Sequence, residues 1–344
     1  MSIAEARWAT RIQDTGALAP YWLGLCVVTG YLLLRCAFDG IYLAIWGFPA
    51  DVYPLWQGVW WPEVVNATLV GFVPAALLIA RRGIDRDMSQ LKPWLPHSDV
   101  RVADLRVAAT GPAGFAGRAF MLSGIVGGVW FVFIDPSLTL GSDLSLSNPS
   151  FVWTVWRLPL FIWVTFVLIV TDLNATRSYL HLGRDLIEVD LLDVQSLIPF
   201  ARRGLRSALT WVVFLIIFSL FWIGNAASEH NLMLFVPVLA MAIGAYIVPL
   251  VGVHSNIVSV KRATLDRLRD EIRIERATST STQADTDSPK LANLIAYYQL
   301  IDGTREWPID AANLLRFFMY LLIGLGSWLG GAFVELMLDR TLSG

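Results

Sequence analysis

Four ionisable residues interrupt stretches that are otherwise almost wholly apolar: Arg35 and Asp39 in "YLLLRCAFDGIYLAIW", Arg157 in "FVWTVWRLPLFIWVTF" and Glu335 in "GGAFVELML". A charge held in hydrocarbon costs roughly 2.5–3.5 kcal/mol even on lenient insertion scales, so such residues either neutralise one another or line a polar path. Tyr31, Arg35, Asp39 and Tyr42 share one helix face, because their spacing follows the helical repeat. Two chemistries fit the set. One is a structural network of ion pairs that locks helices together. The other is the lining of a cavity for an ion or a small charged solute. The balance of signs favours the first, with Asn66 as a polar companion.

Other reactive side chains are sparse. His181 and Asp185 stand one helical turn apart within "HLGRDLIEVDLLDVQS", a spacing that could hold a metal, but no second histidine, HExxH or cysteine pair supports it. His97, His230 and His254 are isolated, and Cys26 and Cys36 read as small buried hydrophobes in the first apolar run. Walker A, GxSxG and kinase signatures do not occur. The expectation is a non-enzymatic protein with no cofactor and no metal.

The elements that must place these charges are membrane spans. The 344 residues are 56% hydrophobic and 16% charged, against about 25% charged in a soluble domain. Mean hydropathy is +0.57. Apolar runs predict an all-α polytopic helical bundle of about seven transmembrane helices, at 21–46, 64–80, 118–134, 151–172, 208–225, 232–253 and 314–338, or about six if the last is re-entrant. The first 20 residues are mixed and polar, unlike a secretory leader.

Orientation follows from the basic residues. Arg7, Arg11, Arg81, Arg82, Arg177, Arg184, Arg202, Arg203, Arg206 and the group between Lys261 and Arg305 all fall on one side. The opposite loops, "GFPADVYPLWQGVWWPEV", "DPSLTLGSDLSLSNPS" and "AASEHN", contain none. The positive-inside rule therefore puts the N-terminus in the cytoplasm and the C-terminus outside, with Trp46, Trp56, Trp60 and Trp61 as an outer aromatic belt. Depth along the spans then brings Arg35, Asp39, Arg157 and Glu335 to a similar level in the outer half.

Residues 1–253 read as a transmembrane bundle with cytoplasmic loops at 81–117 and 173–207, residues 254–313 as a cytoplasmic helical hairpin, and 314–344 as the last span and an external C-terminus. In "HSNIVSVKRATLDRLRDEIRIER" an apolar seam of Val258, Leu265, Leu268 and Ile272 runs along an otherwise charged helix. The linker "ATSTSTQADTDSP" separates it from a second amphipathic helix in "LANLIAYYQLI". Two GxxxG pairs, Gly124 with Gly128 and Gly326 with Gly330, would let backbones approach closely, within one protomer or between copies. Arg202, Arg203 and Arg206 are expected to face anionic headgroups.

The stretches "VDLLDVQSLIPFARRGLRSAL", "YIVPLVGVHSNIVSVKRATLDRL" and "EWPIDAANLLRFFMYLLIGLGSWLGGAFVE" resemble segments of uncharacterised bacterial multi-pass inner-membrane proteins. That resemblance implies a helical membrane fold and brings no activity, cofactor or site residue with it. The scarcity of lysine, only Lys92, Lys261 and Lys290, also suits a bacterial source. A net charge of −2 argues against nucleic acid. The expected partners are the bilayer and, through the hairpin, a cytoplasmic protein or a second copy. A channel or transporter built on the outer-half charges is the alternative.

Overall fold

The computed structural model describes residues 16, 18–46, 60–94, 114–134, 149–187, 189–222, 229–281, 289–308 and 311–342. Among these the architecture is all-helical: α1 (Ala19–Trp46), α2 (Trp60–Leu91), α3 (Gly114–Ile134), α4 (Pro149–His181), α5 (Ile198–Ser219), α6 (Glu229–Ser281), α7 (Pro289–Asp302) and α8 (Ala311–Leu342). Four helical stretches are long and apolar enough to cross a membrane: Ala19–Tyr42, Trp60–Trp94, Phe151–Asp185 and Val236–Ala277. They lie on α1, α2, α4 and α6. The other expected spans fall on α3, on α5, which opens with three arginines, and on α8, whose described apolar stretch is Ala312–Gly324. Residues 47–59, 135–148 and 223–228 of the expected outer-loop regions, residues 1–15 and the linker near Thr282 lie outside the described residues.

Local sequence explains the helix starts. Pro62 and Pro199 occupy first turns, where a missing N–H costs nothing, and Glu63 complements the positive end of the α2 dipole. Pro74, Pro159, Pro237 and Pro249 lie inside helices that nevertheless continue through them. The end of α4 loosens into a wide turn, Leu182–Leu186, before Ile187 becomes extended. Asn256 of α6 donates its Nδ2 to the carbonyls of Gly183 and Ile187 at 3.0 and 3.1 Å, so the backbone freed there is satisfied.

The helices run beyond their apolar stretches. α2 continues to Leu91, α4 to His181, and α5 begins at Ile198. These extensions are packed rather than frayed. Ile84, Met88, Leu91, Tyr179, Leu182, Leu197 and Phe200 form, with Leu250, Val253 and Ile257 of α6, the largest apolar core. A second core of Leu69, Val73, Leu168, Trp211 and Phe214 fills the middle of the bundle. A small third group, Tyr31, Ala67 and Trp153, closes the end at which α2 begins. α5 packs on α2, α6 and α8, and α4 on α2, α3 and α6.

Close backbone approach sets two of these crossings. A side-chain carbon at Gly71 would meet the Gly24 carbonyl oxygen at 2.7 Å, which fixes α1 against α2. One at Gly128 would run into the backbone of Pro159, and one at Gly124 would touch the Phe166 ring at 3.0 Å, so this glycine pair serves α3–α4 packing within the protomer. Gly326 meets nothing within 4 Å, and neither does Gly330. Cys26 and Cys36 sit on the outward face of α1 instead of being buried as expected, because α1 buries only the side that meets α2 and α4.

From Lys290 to Trp307 the chain returns along α6. Lys290 donates to Glu275 at 2.6 Å, Arg269 to the Tyr298 hydroxyl at 2.9 Å, and Lys261 to the Thr304 carbonyl at 3.0 Å. His254 stacks on Trp307 with ring centroids 4.0 Å apart. The partners step down α6 as the chain advances, which is antiparallel order. The hydrogen bond that Lys290 donates to Glu275 holds its ammonium above the usual lysine range.

Candidate functional site

Buried charge gathers at two levels. At the end where α2 begins, Glu63 is the hub. Its Oε1 accepts from Arg157 at 2.7 Å, and its Oε2 accepts from the Tyr31 hydroxyl and the Trp153 indole, each at 3.1 Å. Three helices, α1, α2 and α4, thus meet on one carboxylate. Arg35 and Asp39 pair on their own helix at 3.1 Å, and the Arg35 guanidinium lies 5.0 Å from the Trp153 ring centroid, within cation–π range. Trp153 therefore joins the two ion pairs physically. Asn66 is buried one turn below Glu63.

The structure brings together three of the four charges singled out from sequence, Arg35, Asp39 and Arg157. The Glu335 side chain lies outside the described residues. Glu63 occupies the role of acid to Arg157. Its signal in the sequence was Pro62: a proline suited to the first helical turn places the following glutamate inside the helix, not in the loop before it.

A second network sits where α2, α4 and α5 extend past their apolar stretches. Asp172 accepts from Arg203 at 2.9 Å, from the Ser207 hydroxyl at 2.5 Å and from the Trp211 indole at 2.9 Å. Asp87, fully buried, accepts from the Tyr179 hydroxyl at 3.1 Å and pairs with Arg206. Arg202 reaches Gln90 at 2.6 Å. The arginines expected to face headgroups are therefore largely turned inward: Arg203 is 2% exposed, because Asp172 and the Tyr179 ring give it a better environment than lipid. Arg203 and Arg206 each satisfy an acid on a neighbouring helix and Arg202 an amide oxygen, and α5 is held to both α2 and α4 in this way.

No family model, curated protein or solved structure matches this chain.

His181 and Asp185 approach to 3.5 Å on the exposed turn after α4, with Arg184 at 3.8 Å from the same carboxylate. Among the described residues no group of three or more His, Cys, Asp or Glu side chains is placed to hold a metal. On α6, Leu265 and Leu268 are buried in the main core with Leu294 and Tyr298 of α7 alongside, while Val258 and Ile272 are half-buried. The apolar seam is thus used within the chain. What remains open is the outer face of α7, where Ile295 is 41% and Leu300 58% exposed, beside Tyr297.

Proposed function

We propose that this is a non-enzymatic, multi-pass inner-membrane protein of about seven spans with its N-terminus in the cytoplasm. It acts as a sensor, scaffold or accessory subunit that engages a cytoplasmic protein, or a second copy, through a helical hairpin formed by the end of α6 and by α7. The observation that carries this reading is the unbroken run of α6 over 53 residues, Glu229–Ser281, apolar from Val236 onward and charged toward Arg276. At 1.5 Å per residue it is roughly 80 Å long, far more than a bilayer requires, so one rigid element joins span to hairpin. The apolar side chains of α7 that are exposed among the described residues, Ile295 and Leu300, give that element something to offer a partner.

The test is a photocrosslinking residue placed at Leu300 or Ile295, with Leu268 as the buried control. Crosslinks from the α7 positions and none from Leu268 are expected, and Leu300→Asp should abolish co-purification without loss of membrane insertion. Absence of crosslinks at both α7 positions would overturn the reading. A channel or transporter is the second reading, favoured by the convergence of Arg35, Asp39, Glu63 and Arg157 at one end of the bundle. Pairing of every one of these charges with an opposite one supports a lock over a path.

A further inference from the structure

We infer that the hollow between the turn after α2, the segment Val189–Leu192, α6 and α7 is a binding site for a small primary ammonium compound with a ring-sized apolar body. A ligand there would make the α6–α7 hairpin a sensing element, a consequence that rests on the function proposed above, while the binding itself does not.

The hollow measures about 350 Å³, and its lining includes Trp94, Asp190, Leu191, Val260, Thr264 and Tyr297. Small-molecule sites span about 300–1,000 Å³, so this one suits a metabolite-sized occupant. Its walls belong to the folded core: Leu191 is buried there, and Trp94, Val189 and Val260 pack against it. The lining carries one formal charge, the Asp190 carboxylate, and no basic side chain. Asp190 Oδ1 accepts from the Leu192 amide at 2.9 Å and so closes a turn that fixes the side chain. Among the described residues nothing engages its Oδ2, and no hydrogen bond involves the Thr264 or Tyr297 hydroxyl.

Charge and donor count select the ligand. An anion would meet a carboxylate of its own sign, and a neutral apolar molecule would leave that carboxylate without a counter-charge. A primary ammonium brings three N–H donors, and the lining supplies the Asp190 carboxylate and the hydroxyls of Thr264 and Tyr297 as acceptors. Indole and phenol rings such as those of Trp94 and Tyr297 attract cations over their faces and pack well against another ring. One such ligand would touch the α4–α5 connection, α6 and α7 together. Its occupancy would therefore hold α7 against the bundle.

The experiment is fluorine NMR of the purified full-length protein in nonionic detergent, labelled with 5-fluorotryptophan, the Trp94 signal being assigned by its loss in Trp94→Phe. The probes are 2-phenylethylammonium, 2-phenylethanol and phenylacetate, which share a ring and differ in charge. The ammonium is expected to shift the Trp94 signal saturably, with half-saturation about fivefold or more below that of either other probe. Asp190→Asn keeps the acceptor that closes the turn and should erase this preference. Tyr297→Leu, at a position 40% exposed, should raise half-saturation by about threefold or more. Equal responses to the three probes, no saturable shift with the ammonium, a preference retained in Asp190→Asn or an unchanged half-saturation in Tyr297→Leu would overturn the assignment. Failed crosslinking at Leu300 and Ile295 would sink the partner reading and leave this titration as it is, so the two failures are distinguishable.

Discussion

Replacing Glu63 by Gln changes no volume and removes one charge from the hub of α1, α2 and α4. Arg157 then keeps a buried guanidinium with no counter-charge, and the new amide must offer a donor where the carboxylate accepted three. A hydrogen bond to a charged group contributes about 1.5–3 kcal/mol, and a neutral one about 0.5–1.5 kcal/mol. Loss of the first and partial loss of the two from Tyr31 and Trp153 add to about 3 kcal/mol, at the low end of what breaking a buried pair costs. Arg157→Gln should cost at least as much, since it strands the more deeply buried partner. The double variant leaves no net charge behind and should recover most of the loss, giving a coupling of at least about 2 kcal/mol. Unfolding of all four proteins in a denaturing-detergent titration measures the cycle. Additive losses, with coupling below about 0.5 kcal/mol, would refute the lock. A double variant that folds normally yet abolishes ion or solute flux in vesicles would establish the transport reading in its place.

Three further outcomes are expected. Gly128→Leu should lower the melting midpoint markedly, by the equivalent of about 1–3 kcal/mol or more, because Pro159 backbone blocks the added carbon, whereas Gly326→Leu should be silent in the isolated protomer. Leu268→Ala should cost about 2–5 kcal/mol locally and speed hydrogen exchange across residues 289–302, while the same change at exposed Ile274 should not. A topology reporter fused after Gly344 should be active only outside the cytoplasm, and one inserted near Thr282 only inside. Reversal of either would overturn the seven-span arrangement.

The helical class and the apolar stretches of α1, α2, α4 and α6 were legible because a bilayer demands long unbroken hydrophobic runs. The helix ends were not. Hydropathy loses α2 near Arg81 and α4 near Asp172, since the residues that continue them are charged, yet Asp87 and Arg203 are among the most buried side chains present. Partners on distant helices override the local signal, and no window of sequence contains both members of such a pair. The Arg35–Asp39 contact was readable because both ends lie on one helix face. Arg157 was readable as a charge in need of an acid, but choosing Glu63 required knowing that α2 starts at Trp60. The α6 seam was visible as a periodic pattern, and a second amphipathic helix was legible beyond the linker, because both repeat at the helical period.

The order in which these charges appear along the chain has a consequence for how the protein is made. Glu63 precedes Arg157, and both Asp87 and Asp172 precede Arg203 and Arg206. During synthesis each acid is therefore in place on an earlier, more apolar helix before its arginines emerge. α5, with three arginines at its start, would be a poor substrate for insertion by itself, at roughly 2.5–3.5 kcal/mol for each charge that reaches hydrocarbon. On the reading that α5 is a span, α2 and α4 have already presented Asp87 and Asp172 by the time its arginines emerge. Within these two interhelical networks the chain thus presents acids first and bases second.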